Sequence, residues 1–214
     1  MVILDVLNNL NQCGIVPVVV IDDAKDAAPT AEALLAGDAG VMEITLRTEA
    51  GIGAISNVAR DFPGICLGAG TVLTVEQAKR AVGAGARFIV SPGFDADLVR
   101  WCLDHSVAVT PGCVTPTEIT AAMAMGLNVL KFFPANIYGG IAAIKALAAP
   151  FGGVRFIPTG GISAKNLSEY AVSPFVFAVG GSWMCAKPDI AAGNFDKITA
   201  LCREARTIVR EARA

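Results

Sequence analysis

Histidine is almost absent from this sequence, which has one histidine, His105, in 214 residues. That residue ends the pattern DLVRWCLDHS, where it suits the C-terminus of an outer helix better than a catalytic role. The six cysteines are scattered, with no Cys-x-x-Cys pair: they are Cys13, Cys66, Cys102, Cys113, Cys185 and Cys202. Zinc sites need clustered ligands, and a serine triad needs its own histidine. The sequence therefore predicts buried free thiols, no metal and no cofactor.

Charge is also scarce, because Asp, Glu, Lys and Arg make up only 17% of the residues while hydrophobic residues make up 54%. The 17 basic and 19 acidic residues nearly cancel, and no basic stripe is present that would bind nucleic acid. No apolar run reaches the roughly 18 to 20 residues of a membrane span. The first residues lack the basic segment of a secretory signal. We expect a cytoplasmic protein with a large core and no nucleic-acid or membrane partner.

Short β-branched apolar runs alternate with alanine-rich helical patterns along the chain. Eight such runs occur, at residues 15–21, 41–46, 65–70, 88–91, 107–110, 129–133, 154–158 and 175–179. Parallel strands need crossover helices, so this alternation predicts a (β/α)8 TIM barrel, with an open doubly wound sheet as the alternative. We expect a single domain over residues 1–214, with a leading helix at 1–12 and a terminal helix at 194–214.

One apolar run, NVLKFFPAN, contains Lys131 and no other charge. Strand alternation places Lys131 on one face with Val129 and Phe133. If that face points into the barrel, the loss of hydration favours a neutral amine, which is the nucleophile that forms Schiff bases with ketones. The alternative is a lysine that reaches solvent or pairs with a carboxylate. Because active sites lie at the carboxyl ends of barrel strands, we interpret Lys131 as a catalytic candidate.

A second run, VMEITLRTEAG, alternates strictly between polar and apolar residues. Glu43, Thr45 and Arg47 share the polar face, which must line the interior because an all-parallel barrel buries both faces of its strands. Glu43 would supply a carboxylate near the barrel axis, and the forked cation of Arg47 suits a substrate carboxylate. The alternative is a structural ion pair of Glu43 with Arg47 or Lys131.

Two glycine-rich turns follow the seventh and eighth predicted strands, PTGGIS at 158–163 and VGGSW at 179–183. Glycines allow backbone N–H groups to approach an anion closely, and phosphate sites in these barrels are commonly built from these two loops. Plain tight turns are the alternative. Thr71, at the end of GAGT, either donates to a substrate oxygen or caps the helix that begins near Thr74.

Seven motifs in this order resemble one known family: EITLRT, GAGTVLT, FIVSPGF, TPGCVTPTE, LKFFPAN, PTGGIS and GGSW. The family is the bacterial 2-keto-3-deoxy-6-phosphogluconate (KDPG) aldolases, also called 4-hydroxy-2-oxoglutarate (KHG) aldolases. The resemblance implies a metal-free class I aldolase on a (β/α) barrel, assembled as a homotrimer. From the residues alone, another phosphosugar barrel, such as an isomerase or epimerase, and a non-catalytic phosphosugar-binding module stay open.

The resemblance also implies roles for individual residues. Lys131 would form the Schiff base and Glu43 would be the general acid/base. The binding residues would be Arg47 and Thr71 for the pyruvate carboxylate, Pro92 and Phe133 for its pocket, and Gly160, Gly161, Gly180, Gly181 and Ser182 for the phosphate. Asn136 stands where the family more often has Glu, and because it lies past the strand that contains Lys131, this difference concerns loop contacts and not the chemistry.

Overall fold

The computed structural model describes residues 3–214, and over this range strands and helices alternate in the order that the sequence predicts. The strands are β1 Ile15–Val19, β2 Val41–Thr45, β3 Cys66–Gly70, β4 Phe88–Val90, β5 Ala108–Thr110, β6 Val129–Phe132, β7 Arg155–Pro158 and β8 Val179–Gly181. The helices are α1 Ile3–Cys13, α2 Ala27–Ala36, α3 Gly51–Asp61, α4 Val75–Gly83, α5 Ala96–Asp104, α6 Pro116–Ala124, α7 Gly140–Ala148, α8 Leu167–Ala171, α9 Lys187–Ala191 and α10 Phe195–Arg213. Each strand is followed by a helix, which is the connection that parallel strands need.

The strands pair in parallel and form two sheets. Six strands make one curled sheet in the order β5-β4-β3-β2-β1-β8, and β6 pairs with β7. Between the sheets, regular pairing gives way to isolated parallel bridges, such as Gly112 with Lys131 and Thr159 with Gly180. The regular ladder is therefore a six-stranded half-barrel, where the sequence predicts a continuous ladder of eight strands. β5 and β8 have only three residues each, which limits the consecutive pairs that they can form.

The eighth strand begins later than the sequence predicts, at Val179 instead of residue 175. The chain before it makes only a single bridge, between Val176 and Phe156. Phe177 and Ala178 are nevertheless buried. The apolar run from 175 to 179 is therefore buried without regular strand pairing, and hydrophobic periodicity cannot distinguish a buried strand from a buried loop.

The interior is closed at the amino ends of the strands by α1 and by large side chains. Every residue of β1, β2 and β3 is buried. Leu10 of α1 lines the inner space together with Val16 and Phe88. Gly68 faces Phe88 so closely that a Cβ at position 68 would lie 2.2 Å from the ring, which explains the small residue in mid-strand. Charged side chains in this interior are therefore exceptional.

The cysteines and the histidine occupy structural positions. All six cysteines are free and buried, as expected. Burial raises the pKa of the Cys66 thiol to about 11 and that of Cys102 to about 12. His105 follows α5, stacks on Trp101 and has its Nδ1 2.8 Å from the Trp101 carbonyl oxygen. Among the described helices, none is long and apolar enough to cross a bilayer.

Candidate active site

One strand from each of the two sheets brings a lysine and a carboxylate together in the interior. β2 carries Glu43 and β6 carries Lys131, and the Lys131 Nζ lies 3.5 Å from the Glu43 Oε1. Their side chains are only 8% and 4% exposed. Within residues 3–214, Glu43 Oε1 makes no hydrogen bond beyond this ion pair. The attraction within a buried ion pair adds little net stability, because both charges lose their hydration. A buried carboxylate oxygen that has no hydrogen-bond donor and lies beside an amine is instead suited to proton transfer.

Gly70 provides the space for this carboxylate. It ends β3, which pairs with β2 in the register Glu43 with Gly68 and Thr45 with Gly70. A Cβ at position 70 would lie 2.1 Å from the Glu43 Oε1. Only glycine therefore leaves the carboxylate where it is. Sequence reasoning did not select Gly70, although a glycine inside a strand is a known sign of close approach.

Arg47 and Thr71 meet just beyond the ends of β2 and β3. The Arg47 Nε donates to the Thr71 Oγ1 at 3.3 Å. Thr71 has a φ of 57°, in the left-handed region that β-branched residues rarely adopt. Such backbone strain persists only where the surroundings enforce it, and here it aims the hydroxyl at the guanidinium. Thr71 does not cap α4: the N-cap residue is Thr74, whose side chain accepts a hydrogen bond from the Gln77 backbone N–H.

A cavity of about 310 Å³ opens at the carboxyl ends of the strands. Its wall includes Arg47, Phe133, the first glycine turn with Gly160 and Gly161, and Gly181 and Ser182 of the second turn, whereas Gly180 is not among the residues that line it. A second and much smaller space of about 10 Å³ is lined in part by Glu43 and Lys131. Thr159 lines both spaces and therefore lies where the open cavity and the space beside the ion pair meet. Thr159 is not among the residues that the sequence predicts for the site, because the PTGGIS motif is interpreted through its two glycines alone.

The glycines of the two turns are required by close packing. Gly160 and Gly161 have φ values of 100° and 70°, and a Cβ on Gly161 would lie 2.3 Å from the Asn136 side chain. A Cβ on Gly180 would lie 2.2 Å from the Thr159 Oγ1, and one on Gly181 would lie 1.8 Å from the Trp183 ring. Close approach to an anion and close packing against the protein thus both call for glycine at these positions.

The helices behind these turns differ from the expectation that each turn opens directly onto a helix N-terminus. α8 begins only at Leu167 and α9 at Lys187, and each has five residues. Their small dipoles add little to anion binding, since the macrodipole is a sum over aligned peptide units. The turn N–H groups and the Ser182 hydroxyl are therefore the uncharged donors that an anion can meet in this part of the cavity.

The last three sequence candidates occupy different surroundings. The Phe133 ring lines the cavity, with its centroid 5.4 Å from the Lys131 Nζ. Pro92 is exposed on the turn after β4, outside the residues that line the cavity, and its carbonyl oxygen lies 2.0 Å from where a Cβ of Gly112 would be. Asn136 donates its backbone N–H to the Gly160 carbonyl at 3.2 Å and therefore supports the first glycine turn.

A buried lysine beside a carboxylate is the pair of groups that a lysine-dependent aldolase requires. The chain is an enzyme of the aldolase class. More narrowly, it belongs to the KDPG and KHG aldolase family, whose model matches residues 6–201. This membership separates the chain from the isomerases, epimerases and non-catalytic modules that the residues alone leave open.

Individual relatives are similar to this chain over most of its length. A 2-dehydro-3-deoxy-phosphogluconate aldolase of Treponema pallidum is 48% identical over 200 residues, 94% of this chain and 95% of the relative. The structure of the Legionella pneumophila KDPG aldolase, with pyruvate captured as a covalent carbinolamine, has a TM-score of 0.90 and 40% identity and covers 94% and 97% of the two chains. That of the Zymomonas mobilis ZM4 enzyme with 3-phosphoglycerate has a TM-score of 0.89 and 41% identity and covers 98% and 99%.

Proposed function

We propose that the chain cleaves KDPG to pyruvate and glyceraldehyde 3-phosphate through a Schiff base at Lys131, and KHG to pyruvate and glyoxylate at the same site. The observation that carries the proposal is the buried approach of the Lys131 Nζ to the Glu43 Oε1, at 3.5 Å. The pyruvate carbinolamine of the Legionella pneumophila relative supports a lysine adduct as the first intermediate.

The first steps use the amine. The Lys131 ammonium passes a proton to Glu43, and the neutral Nζ adds to the C2 ketone to give a carbinolamine. Glu43 returns the proton to the carbinolamine hydroxyl, which leaves as water, and a protonated imine remains. As the C3–C4 bond breaks, its electron pair moves into the imine and forms the enamine of pyruvate. Glu43 takes the proton of the C4 hydroxyl, directly or through a water, while C4 becomes the aldehyde carbon. The aldehyde product then leaves.

The remaining steps return the enzyme to its starting state. Glu43 delivers a proton to C3 of the enamine, which regenerates the imine. Addition of water to C2 then releases pyruvate and leaves Lys131 as the ammonium, paired with Glu43 as at the start. Glu43 therefore alternates between carboxylate and carboxylic acid within one cycle, and Gly70 supports this role by leaving its carboxylate unobstructed.

The other residues bind the two ends of the substrate. We assign Arg47 and Thr71 to the pyruvate carboxylate, because their hydrogen bond orders a forked cation at the rim. We assign Phe133 and Pro92 to the pyruvate pocket, which is supported for Phe133 by the 5.4 Å between its ring centroid and the Lys131 Nζ. The N–H groups of Gly160, Gly161, Gly180 and Gly181, together with the Ser182 hydroxyl, bind the phosphate.

The proposal extends to the architecture and assembly. We propose that the two sheets close into a (β/α)8 barrel in a single domain, which is supported by the parallel bridges at Gly112 and Gly180. A homotrimer is supported by exposed apolar residues after the strands, Leu73, Ile137 and Tyr138, which a second copy can cover. The free thiols favour a cytoplasmic location.

The test is a cleavage assay of the purified chain with KDPG and with KHG, in which pyruvate release is followed. Both substrates are expected to give pyruvate. Lys131→Ala is expected to abolish release from both, since no other amine lies beside Glu43 in the described residues. Lys145→Ala, on the outer helix α7, serves as the control and is expected to retain the rate. Full activity in Lys131→Ala would refute the assignment.

A further inference from the structure

A second cation faces the cavity from the side of the glycine turns. Lys187 is the first residue of α9, just beyond the turn that contains Gly181 and Ser182, and it lines the same cavity. Its Nζ lies 2.9 Å from the Asp22 Oδ2. Both side chains are about half exposed, at 54% and 55%. An ion pair this accessible to water is worth little, so the ammonium can exchange partners at low cost.

The charges of the cavity wall have one sign. Arg47 and Lys187 are the charged residues among those that line the cavity in the described chain, and no carboxylate joins them. Arg47 follows β2 and Lys187 follows β8, and β1 lies between these strands in the sheet. Two strand spacings separate the strand ends by roughly 10 Å. A ligand with an anion at each end and a six-carbon chain between them matches this arrangement.

From this placement we propose that Lys187 is a phosphate-binding residue that sets the preference for the phosphorylated substrate, with Asp22 holding its ammonium in the free enzyme. The inference rests on the proposed function. A phosphate dianion presents more charge than one carboxylate, and the turn N–H groups hold it in place. The flexible four-carbon stem of Lys187 can then move the ammonium from Asp22 to the phosphate.

The experiment measures kcat and KM of Lys187→Gln for KDPG and for KHG. The KM for KDPG is expected to rise about tenfold, equivalent to about 1.4 kcal/mol, with kcat changed less than twofold. KHG carries its second carboxylate directly on C4, so it does not extend to Lys187, and its KM is expected to change much less. Lys187→Arg should restore most of the loss, because it returns the charge. Added salt should raise the KM for KDPG less in Lys187→Gln than in the parent enzyme.

Two further variants separate recognition from structure. Lys79→Gln removes an equally exposed lysine from an ion pair with Glu76 on α4, away from the cavity, and is expected to leave both KM values unchanged. Asp22→Asn frees the ammonium of Lys187 and is expected to lower the KM for KDPG. A shift of KM in the same direction in Asp22→Asn and Lys187→Gln would contradict the inference.

Failure of this inference is distinguishable from failure of the proposed function. Borohydride reduction with pyruvate should label Lys187→Gln as fully as the parent enzyme, which shows that the imine chemistry is intact. An unchanged ratio of the two KM values in a variant that is labelled fully would overturn the role of Lys187 alone. Absence of label in the parent enzyme would overturn the proposed function instead.

Discussion

Gly70 of β3 leaves the space that the Glu43 carboxylate of the neighbouring strand β2 occupies, since a Cβ at position 70 would lie 2.1 Å from the Glu43 Oε1. Gly70→Ala is therefore expected to push the carboxylate away from Lys131. Loss of a positioned general acid/base lowers rates by about 10² to 10⁴. We expect kcat for KDPG to fall at least about 100-fold, with about 1 to 3 kcal/mol of stability lost to overpacking.

Gly83→Ala is the matched control, because a Cβ at Gly83 in α4 meets nothing within 4 Å. Its kcat is expected to equal that of the parent enzyme. Steady-state kinetics and urea unfolding on both variants separate the effect on the site from the effect on stability. A Gly70→Ala variant with kcat within threefold of the parent would show that the carboxylate does not depend on this contact.

The first glycine turn provides a test of phosphate binding. Gly161 has a φ of 70°, and its missing Cβ leaves room for Asn136. Gly161→Ala is expected to reduce kcat/KM for KDPG by more than about 100-fold, because remote binding energy positions the reacting carbons. The loss for KHG, which has no phosphate, should be much smaller. Circular dichroism and trapping with pyruvate verify the fold and the imine, and equal losses on both substrates in a folded variant would contradict phosphate binding here.

The buried thiols predict a specific loss of stability at high pH. Burial raises the pKa of Cys102, Cys113 and Cys202 to about 12, from an ordinary value of 9.0. The folded state therefore keeps protons that the unfolded state loses above pH 9. The resulting stabilisation is complete below that pH and disappears as the pH rises towards 12.

Urea unfolding at pH 8 and pH 10 measures this effect. For each such thiol, the free energy of unfolding is expected to fall by about 1.4 kcal/mol between the two pH values. Cys102→Ala removes one of these groups, so its decrease in the free energy of unfolding should be smaller by that amount. An equal decrease in Cys102→Ala and the parent enzyme would show that the thiol does not contribute.

Much of the candidate site follows from local patterns. Lys131 is the only charge in an apolar strand, and Glu43 and Arg47 fall on the polar face of a strictly alternating strand, so periodicity alone selects them. The glycine turns were also selected, although their packing against Thr159 and Trp183 requires three dimensions.

Contacts between distant segments could not be predicted in this way. Asp22 and Lys187 pair across 165 positions, as the residue numbers show, and neither lies in an unusual local pattern. Gly70 matters because β3 lies beside β2 in one particular register. The start of β8 was misplaced because pairing with β1 begins at Val179, whereas burial begins earlier. Register and packing arise from the assembled sheet, which periodicity does not encode.

Removal of divalent metal ions tests whether cleavage proceeds without a metal. Among residues 3–214, no three His, Cys, Asp or Glu side chains are grouped to hold a metal ion. In the proposed mechanism the protonated imine at Lys131 accepts the electrons of the broken bond. Dialysis against a strong chelator is therefore expected to leave the cleavage rate unchanged. Loss of activity that a divalent ion restores would place a metal in the reaction.

The most direct measurement is borohydride reduction in the presence of pyruvate, followed by intact-mass analysis and peptide mapping. One pyruvate-derived adduct per chain is expected, on the peptide that contains Lys131, with Lys145 and Lys187 unmodified. Lys131→Ala should gain no adduct under the same conditions. An adduct on another lysine, or an unmodified and folded parent chain, would contradict the assignment of Lys131 as the Schiff-base residue.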